Sequence, residues 1–103
     1  MKRVIDGKVY NTETADCIAS WSNGLNPGDF DRCDETLYRT QNGRWFIYGD
    51  GGARSRWGEQ CGTNSWCGGD GIEALTEAEA LEWCQDHKVD GDTIEEYFAV
   101  EPA

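Results

Sequence analysis

The sequence predicts an α+β domain, a small antiparallel β-sheet followed by two C-terminal helices, and three observations carry that expectation. β-rich runs joined by Asp6-Gly7 and Asn42-Gly43 fill the first half, and both dipeptides are strong hairpin signals. Thr76 followed by Glu79 forms a capping box ahead of an Ala-, Leu- and Glu-rich run. The 103 residues contain no internal repeat and no composition break that would mark a second domain. A single domain is expected, with a sheet-forming part at about 1–50, a glycine-rich connector at about 49–71 and an acidic helical part at about 72–100.

In chain order, Val4-Ile5 and Val9-Tyr10 flank Asp6-Gly7 as a tight hairpin, since that dipeptide suits a type I′ turn. Residues 14–22 alternate Ala15, Cys17, Ala19 and Trp21 against Thr14, Asp16, Ile18 and Ser20. The alternation predicts a strand with the first set inward, and a short helix capped by Thr12 is the alternative. Leu37 to Thr40 and Arg44 to Tyr48 form the clearest pair of strands. Bulky residues fall on both faces of the second, Trp45 and Ile47 against Phe46 and Tyr48, so both faces should be covered. Ile72 to Leu75 reads as a short strand, and the capped helix runs from there to about His87, with Ala80, Leu81 and Cys84 on one face. Asp92 or Thr93 can cap a last short helix with Ile94, Tyr97 and Phe98 as its apolar stripe.

Charge divides the chain unevenly. Met1 to Gly69 holds nine acids against eight bases, whereas Asp70 to Ala103 holds eleven acids against Lys88 alone, so −1 and −10 make the total of −11. An acidic third of this kind argues against direct contact with nucleic acid or an anionic membrane. It favours a basic partner. The N-terminus lacks the apolar run of a signal peptide, and no segment approaches the ~20 apolar residues of a membrane span. A cytoplasmic location follows, with the five cysteines (Cys17, Cys33, Cys61, Cys67, Cys84) reduced.

Familiar chemistries fit poorly. His87 is the only histidine, and nothing selects one of the five cysteines as its nucleophilic partner. Cys61 and Cys67 are too widely spaced for an ordinary zinc knuckle and would need distant ligands. The run from Asp86 to Tyr97 places Lys88 and Tyr97 where a calcium loop needs carboxylates. The glycines and arginines of residues 49–58 lack the Gly-Lys-Ser/Thr ending of a phosphate loop. No catalytic residue, metal or cofactor is therefore expected.

Two surfaces remain. Glu79, Glu82 and Asp86 fall at i, i+3 and i+7 on one helix face, and Asp90, Asp92, Glu95 and Glu96 continue the row. Residues three and four apart on a helix have Cβ atoms ~5–6 Å apart, a spacing comparable to that of successive phosphates on a strand. Arg54, Arg56 and Trp57, with Trp66 further on, offer the residue types that dominate interface hot spots. The alternative for these residues is internal: arginines paired to the acidic helices and tryptophans filling the core.

The frame formed by Ile5 to Ala15 (IDGKVYNTETA), Leu37 to Trp57 (LYRTQNGRWFIYGDGGARSRW) and Gly71 to Trp83 (GIEALTEAEALEW) resembles a set of short acidic proteins of bacterial phages, plasmids and other mobile elements. That resemblance spans most of the chain and carries no catalytic motif. It implies a mobile-element origin and action in the bacterial cytoplasm. Small acidic proteins in that setting resemble anti-CRISPR and other counter-defence inhibitors. The expected function is thus non-enzymatic inhibition of a basic nucleic-acid-binding host protein, a CRISPR effector subunit. Glu79, Glu82, Asp86, Asp92, Glu95 and Glu96 would carry the charge contacts, with Trp57, Arg54 and Arg56 as anchors. A zinc-stabilised or plain interaction module and a thiol-dependent enzyme are the alternatives.

Overall fold

A computed structural model describes the whole chain, Met1–Ala103. It is an α+β domain with eight strands and two helices near the C-terminus. The strands are β1 (Lys2–Ile5), β2 (Lys8–Asn11), β3 (Asp16–Ser22), β4 (Cys33–Arg39), β5 (Trp45–Gly51), β6 (Glu59–Gly62), β7 (Ser65–Cys67) and β8 (Gly69–Leu75). Helices α1 (Glu77–Asp86) and α2 (Gly91–Tyr97) follow. The central sheet is antiparallel in the order β3-β4-β5-β8, and β1-β2 and β6-β7 are separate two-stranded hairpins.

Turn chemistry explains the hairpins. Asp6 and Gly7 both take positive φ, 51° and 75°, as a type I′ turn requires. At the β4–β5 turn only Gly43 does, at φ 83°. The Gly43 amide donates to the Thr40 carbonyl at 2.9 Å, and the Thr40 amide donates to the Arg44 carbonyl at 2.8 Å. This is the longer hairpin loop with glycine in the left-handed position rather than a two-residue turn.

Alternation along β5 gives the sheet its two cores. Trp45 and Ile47 join Leu37, Ala80, Trp83, Cys84 and Phe98 beneath the helices. Phe46 points the other way, to Tyr10 and Ile72, and the hairpin β1–β2 covers that face. Tyr10 meets Phe46 edge-on at 5.5 Å, and Tyr38 stacks on Phe46 at 5.1 Å. Both bulky faces of this strand are therefore covered, by different layers.

Residues 16–22 form a strand, not a helix, and Thr12 bonds to Met1 instead of capping. The expected inward set is split by a register shift between Cys17 and Ala19. Ile18, Ala19 and Trp21 pack toward the helices, Ala15 packs toward the hairpin side, and Cys17 is exposed. A bulge adds one residue and so exchanges the faces on its two sides. The glycine-rich segment carries more regular structure than a connector: it completes β5, contains β6 and β7, and starts β8 three residues before Ile72. The capping box forms, with the Thr76 side chain accepting from Glu79 N at 3.1 Å and Glu79 Oε1 accepting from Thr76 N at 2.9 Å. Helix α2 starts earlier than expected, after Asp90, and its cap makes no side-chain hydrogen bond.

Candidate functional site

The centre of the helical face is a carboxylate. Alternation along β4 points Glu35 to the same side as Leu37, and Glu35 is the one buried charged side chain, 3% exposed. Its neighbours across the sheet are Trp21 on β3 and Gly49 on β5, and Gly49 in turn faces Gly71 on β8. The two glycines leave a shallow bed in the sheet, and the Trp57 indole lies in it. A Cβ at Gly49 would stand 2.0 Å from Trp57 Cε2, and one at Gly71 would stand 3.3 Å from Cζ3.

Burying a carboxylate is costly unless its oxygens are hydrogen-bonded. Trp57 Nε1 donates to Glu35 Oε2 at 2.9 Å, and Trp83 Nε1 donates to Oε1 at 2.8 Å. Arg56 Nη1 stands 3.5 Å from Oε2 and His87 Nε2 stands 3.8 Å from Oε1. An indole N–H can only donate, so the carboxylate oxygens serve both rings as acceptors. His87 stacks on Trp21 with centroids 4.2 Å apart and meets Trp83 edge-on at 4.7 Å. Glu35 thus ties the 52–58 loop, helix α1 and the C-cap of that helix to one strand.

Above this centre a groove of about 220 Å³ is lined by Ile47, Leu75 and Trp83 below and by Arg56, His87, Glu79, Glu82 and Asp86 at its rim. The structure thus brings Glu79, Glu82 and Asp86 together on one groove. Glu79 also serves the capping box, so one of its oxygens is already engaged. Asp92, Glu95 and Glu96 are exposed on α2. None of these six acids forms an ion pair.

The two arginines pair with acids outside the helices. Arg54 pairs with Asp31 at 3.1 Å and sits 5.6 Å from the Phe30 ring centroid. Arg56 pairs with Glu73 and approaches Glu35. Trp57 is half-buried, its N–H is taken by Glu35, and the Arg56 guanidinium lies 4.9 Å from its ring centroid. It anchors its own loop, whereas Trp66, 61% exposed, is the tryptophan turned outward. Trp66 flanks a second cleft of about 330 Å³ between Phe30 and the Gly51-Gly52 backbone.

The thiols occupy unlike surroundings, from exposed Cys17 and Cys61 to buried Cys84. Cys33 Sγ donates toward Glu35 Oε2 at 3.8 Å, and burial together with that carboxylate pushes the thiol up to about 11. Burial also raises Cys84. Cys61 and Cys67 share the β6–β7 hairpin, and Cys67 is raised first by its hydrogen bond with Cys61. No three His, Cys, Asp or Glu side chains gather in a way that could hold a metal ion. No helix is long and apolar enough to cross a membrane.

Sequence reasoning missed Glu35, Trp83 and the bed made by Gly49 and Gly71. A glutamate in the alternating run of β4 carries no local signal of burial. Only the pairing of β4 with β5 and β5 with β8 aligns it with the two glycines. Comparison with protein-family models, with curated proteins and with solved structures finds no match to the chain.

Proposed function

We propose that the chain is a non-enzymatic inhibitor that binds a basic nucleic-acid-processing protein and occludes its DNA or RNA site. The observation that carries this reading is the state of the acids on the helical layer. Glu79, Glu82, Asp86, Asp92, Glu95 and Glu96 are all exposed, and none is neutralised by an ion pair within the chain. The arginines that could have paired with them are held by Asp31, Glu35 and Glu73 instead. Lys88 is the only base between Glu77 and Glu96. Such a surface steers a basic partner and weakens with salt. The resemblance to small acidic mobile-element proteins singles out a CRISPR effector in a bacterial cytoplasm as the partner.

Because Glu35 holds α1 down through Trp83, Glu79, Glu82 and Asp86 ride on a helix fastened to the sheet. Trp57 and Arg56 contribute by positioning, and Arg54 pairs with Asp31 on the neighbouring 29–32 loop rather than with the helical acids. Reversal of Glu82, Asp86 and Glu95 to lysine should abolish inhibition while leaving the far-UV circular dichroism unchanged. Inhibition that survives this reversal at high salt would defeat the proposal.

A further inference from the structure

Two of the five cysteines share the short β6–β7 hairpin, and its register brings them to one side. Cys67 stands opposite Glu59 and Ser65 opposite Gly62, with a register shift between Gln60 and Gly62. Cys61 is the extra residue of that bulge. It lies two positions beyond Glu59, so alternation turns it to the side that Glu59 and Cys67 occupy. The two thiols meet there. Their shared hydrogen bond, and then burial, holds the Cys67 thiol above its usual range. Cys67 Sγ also lies 3.6 Å from the Glu59 carbonyl oxygen. Cys61 is exposed and Cys67 half-buried. The other cysteines are placed differently: Cys17 and Cys33 stand at opposite ends of the β3–β4 pairing, and Cys84 is buried in α1.

We propose that Cys61 and Cys67 form a reversible thiol–disulfide exchange site whose oxidant is a low-molecular-weight disulfide, oxidised glutathione, and whose product clasps the hairpin. Exposure sets the order of the steps. Cys61 loses its proton to solvent, and its thiolate attacks one glutathione sulfur. The glutathione S–S bond breaks, one glutathione thiolate leaves, and a mixed disulfide remains on Cys61. Cys67 then loses its proton and attacks the Cys61 sulfur, expelling the second glutathione thiolate. Its neighbour is held beside it, and that proximity offsets a thiol slow to ionise. The two departing thiolates take up the two protons. Two cysteine thiols are thus oxidised to one disulfide while one oxidised glutathione is reduced to two thiols, and excess reduced thiol runs the same steps backwards.

The bridge acts on a part of the fold that little else holds. A two-stranded hairpin is marginal in water by itself, and β6–β7 is exposed at every residue except Cys67. Trp66, Cys67 and Gly68 form one wall of the cleft of about 330 Å³ that faces Phe30. A disulfide across the hairpin therefore fixes that wall, and with it the outward tryptophan, whereas the dithiol leaves the hairpin to open. The site lies apart from the helical acids, and its test contains no partner protein.

The test holds the full chain, dilute, in glutathione buffers of rising oxidised fraction, traps the thiols by alkylation, and maps the peptides by mass. The free thiols should fall by two, from five to three, with Cys61 and Cys67 joined within one molecule. This should happen at a poise at which exposed Cys17 carries little glutathione, and dithiothreitol should restore both thiols. Cys67→Ser should keep glutathione on Cys61, and Cys61→Ser should leave Cys67 slow to react. Amide hydrogen exchange of the bridged wild type should slow across β6–β7 and stay unchanged in the central sheet. A wild type whose Cys61 retains glutathione beside a free Cys67 would overturn the proposal. So would bridges between molecules, a pair that oxidises no more readily than Cys17 takes up glutathione, or hairpin exchange that the bridge does not slow.

Discussion

Trp57 and Trp66 stand nine positions apart in one glycine-rich stretch, yet they meet opposite fates. Trp57 lies in a bed of two glycines, with its N–H on a buried carboxylate. Trp66 stands 61% exposed on the β6–β7 hairpin, opposite Gln60. Each is flanked closely by serine and glycine. What separates them is a partner far away in sequence: Glu35 for the first, and none for the second. Loops rich in glycine are thus not alike in stability, and the distinction rests on which backbone positions leave room for a ring.

The largest break in that contrast should come from Glu35→Ala. It strands the buried Trp83 indole donor and the half-buried Trp57 one, and each buried donor left unsatisfied costs about 1–3 kcal/mol. Urea unfolding should show the loss, and Glu35→Gln, which keeps one acceptor, should lose less. Gly49→Ala comes next. Its Cβ would stand 2.0 Å from the Trp57 ring, so the ring must leave its bed, at a cost of about 1–3 kcal/mol for overpacking. A red shift in tryptophan emission should accompany the loss.

A smaller effect belongs to acid. Asp34 is held below the usual carboxylate range, first by a hydrogen bond from Ser22 and then by Arg32. A depressed carboxylate contributes stability that is full above its unfolded pKa, about 3.9, and is lost as pH falls through the lower folded value. Asp34→Asn should therefore flatten the decline of stability below about pH 4. The side chain is 40% exposed, so solvent screening keeps the effect slight. Smallest of all is Trp66→Ala, which should stay within about 0.5 kcal/mol of wild type because its ring packs on little. A large loss there would erase the contrast between the two tryptophans.

Thiol reactivity offers a parallel check on the cysteines. Exposed Cys17 and Cys61 should alkylate first, and Cys33, whose thiol is pushed up to about 11, should react slowly at neutral pH. A fast Cys33 would revive the reading as a thiol-dependent enzyme.

The sequence made the fold class, the Asp6-Gly7 turn and the Thr76 capping box legible because each is encoded within a few adjacent residues. The acids of α1 were legible for the same reason, since helical spacing alone places Glu79, Glu82 and Asp86 on one side. Strand bounds near the glycines were not, because Gly49, Gly51, Gly69 and Gly71 have poor strand propensity and enter the sheet through pairing with one another and, for Gly49 and Gly51, with β4. The same pairing explains why Trp57 turned inward: its bed is made by two strands that are distant in sequence. Cys17 was misplaced because a bulge changes the alternation without marking itself in the residue types.

The central claim concerns the unpaired acids of α1 and α2. Its most direct test is displacement of DNA from a CRISPR effector, followed by fluorescence anisotropy across a panel of effector types. Wild type and the Glu82→Lys/Asp86→Lys/Glu95→Lys variant are titrated at low and at high salt. Wild type should displace DNA from its effector, less well as salt rises, and the reversed variant should not displace it while unfolding in urea as wild type does. A reversed variant that displaces DNA as well as wild type, at both salt concentrations, would contradict the account.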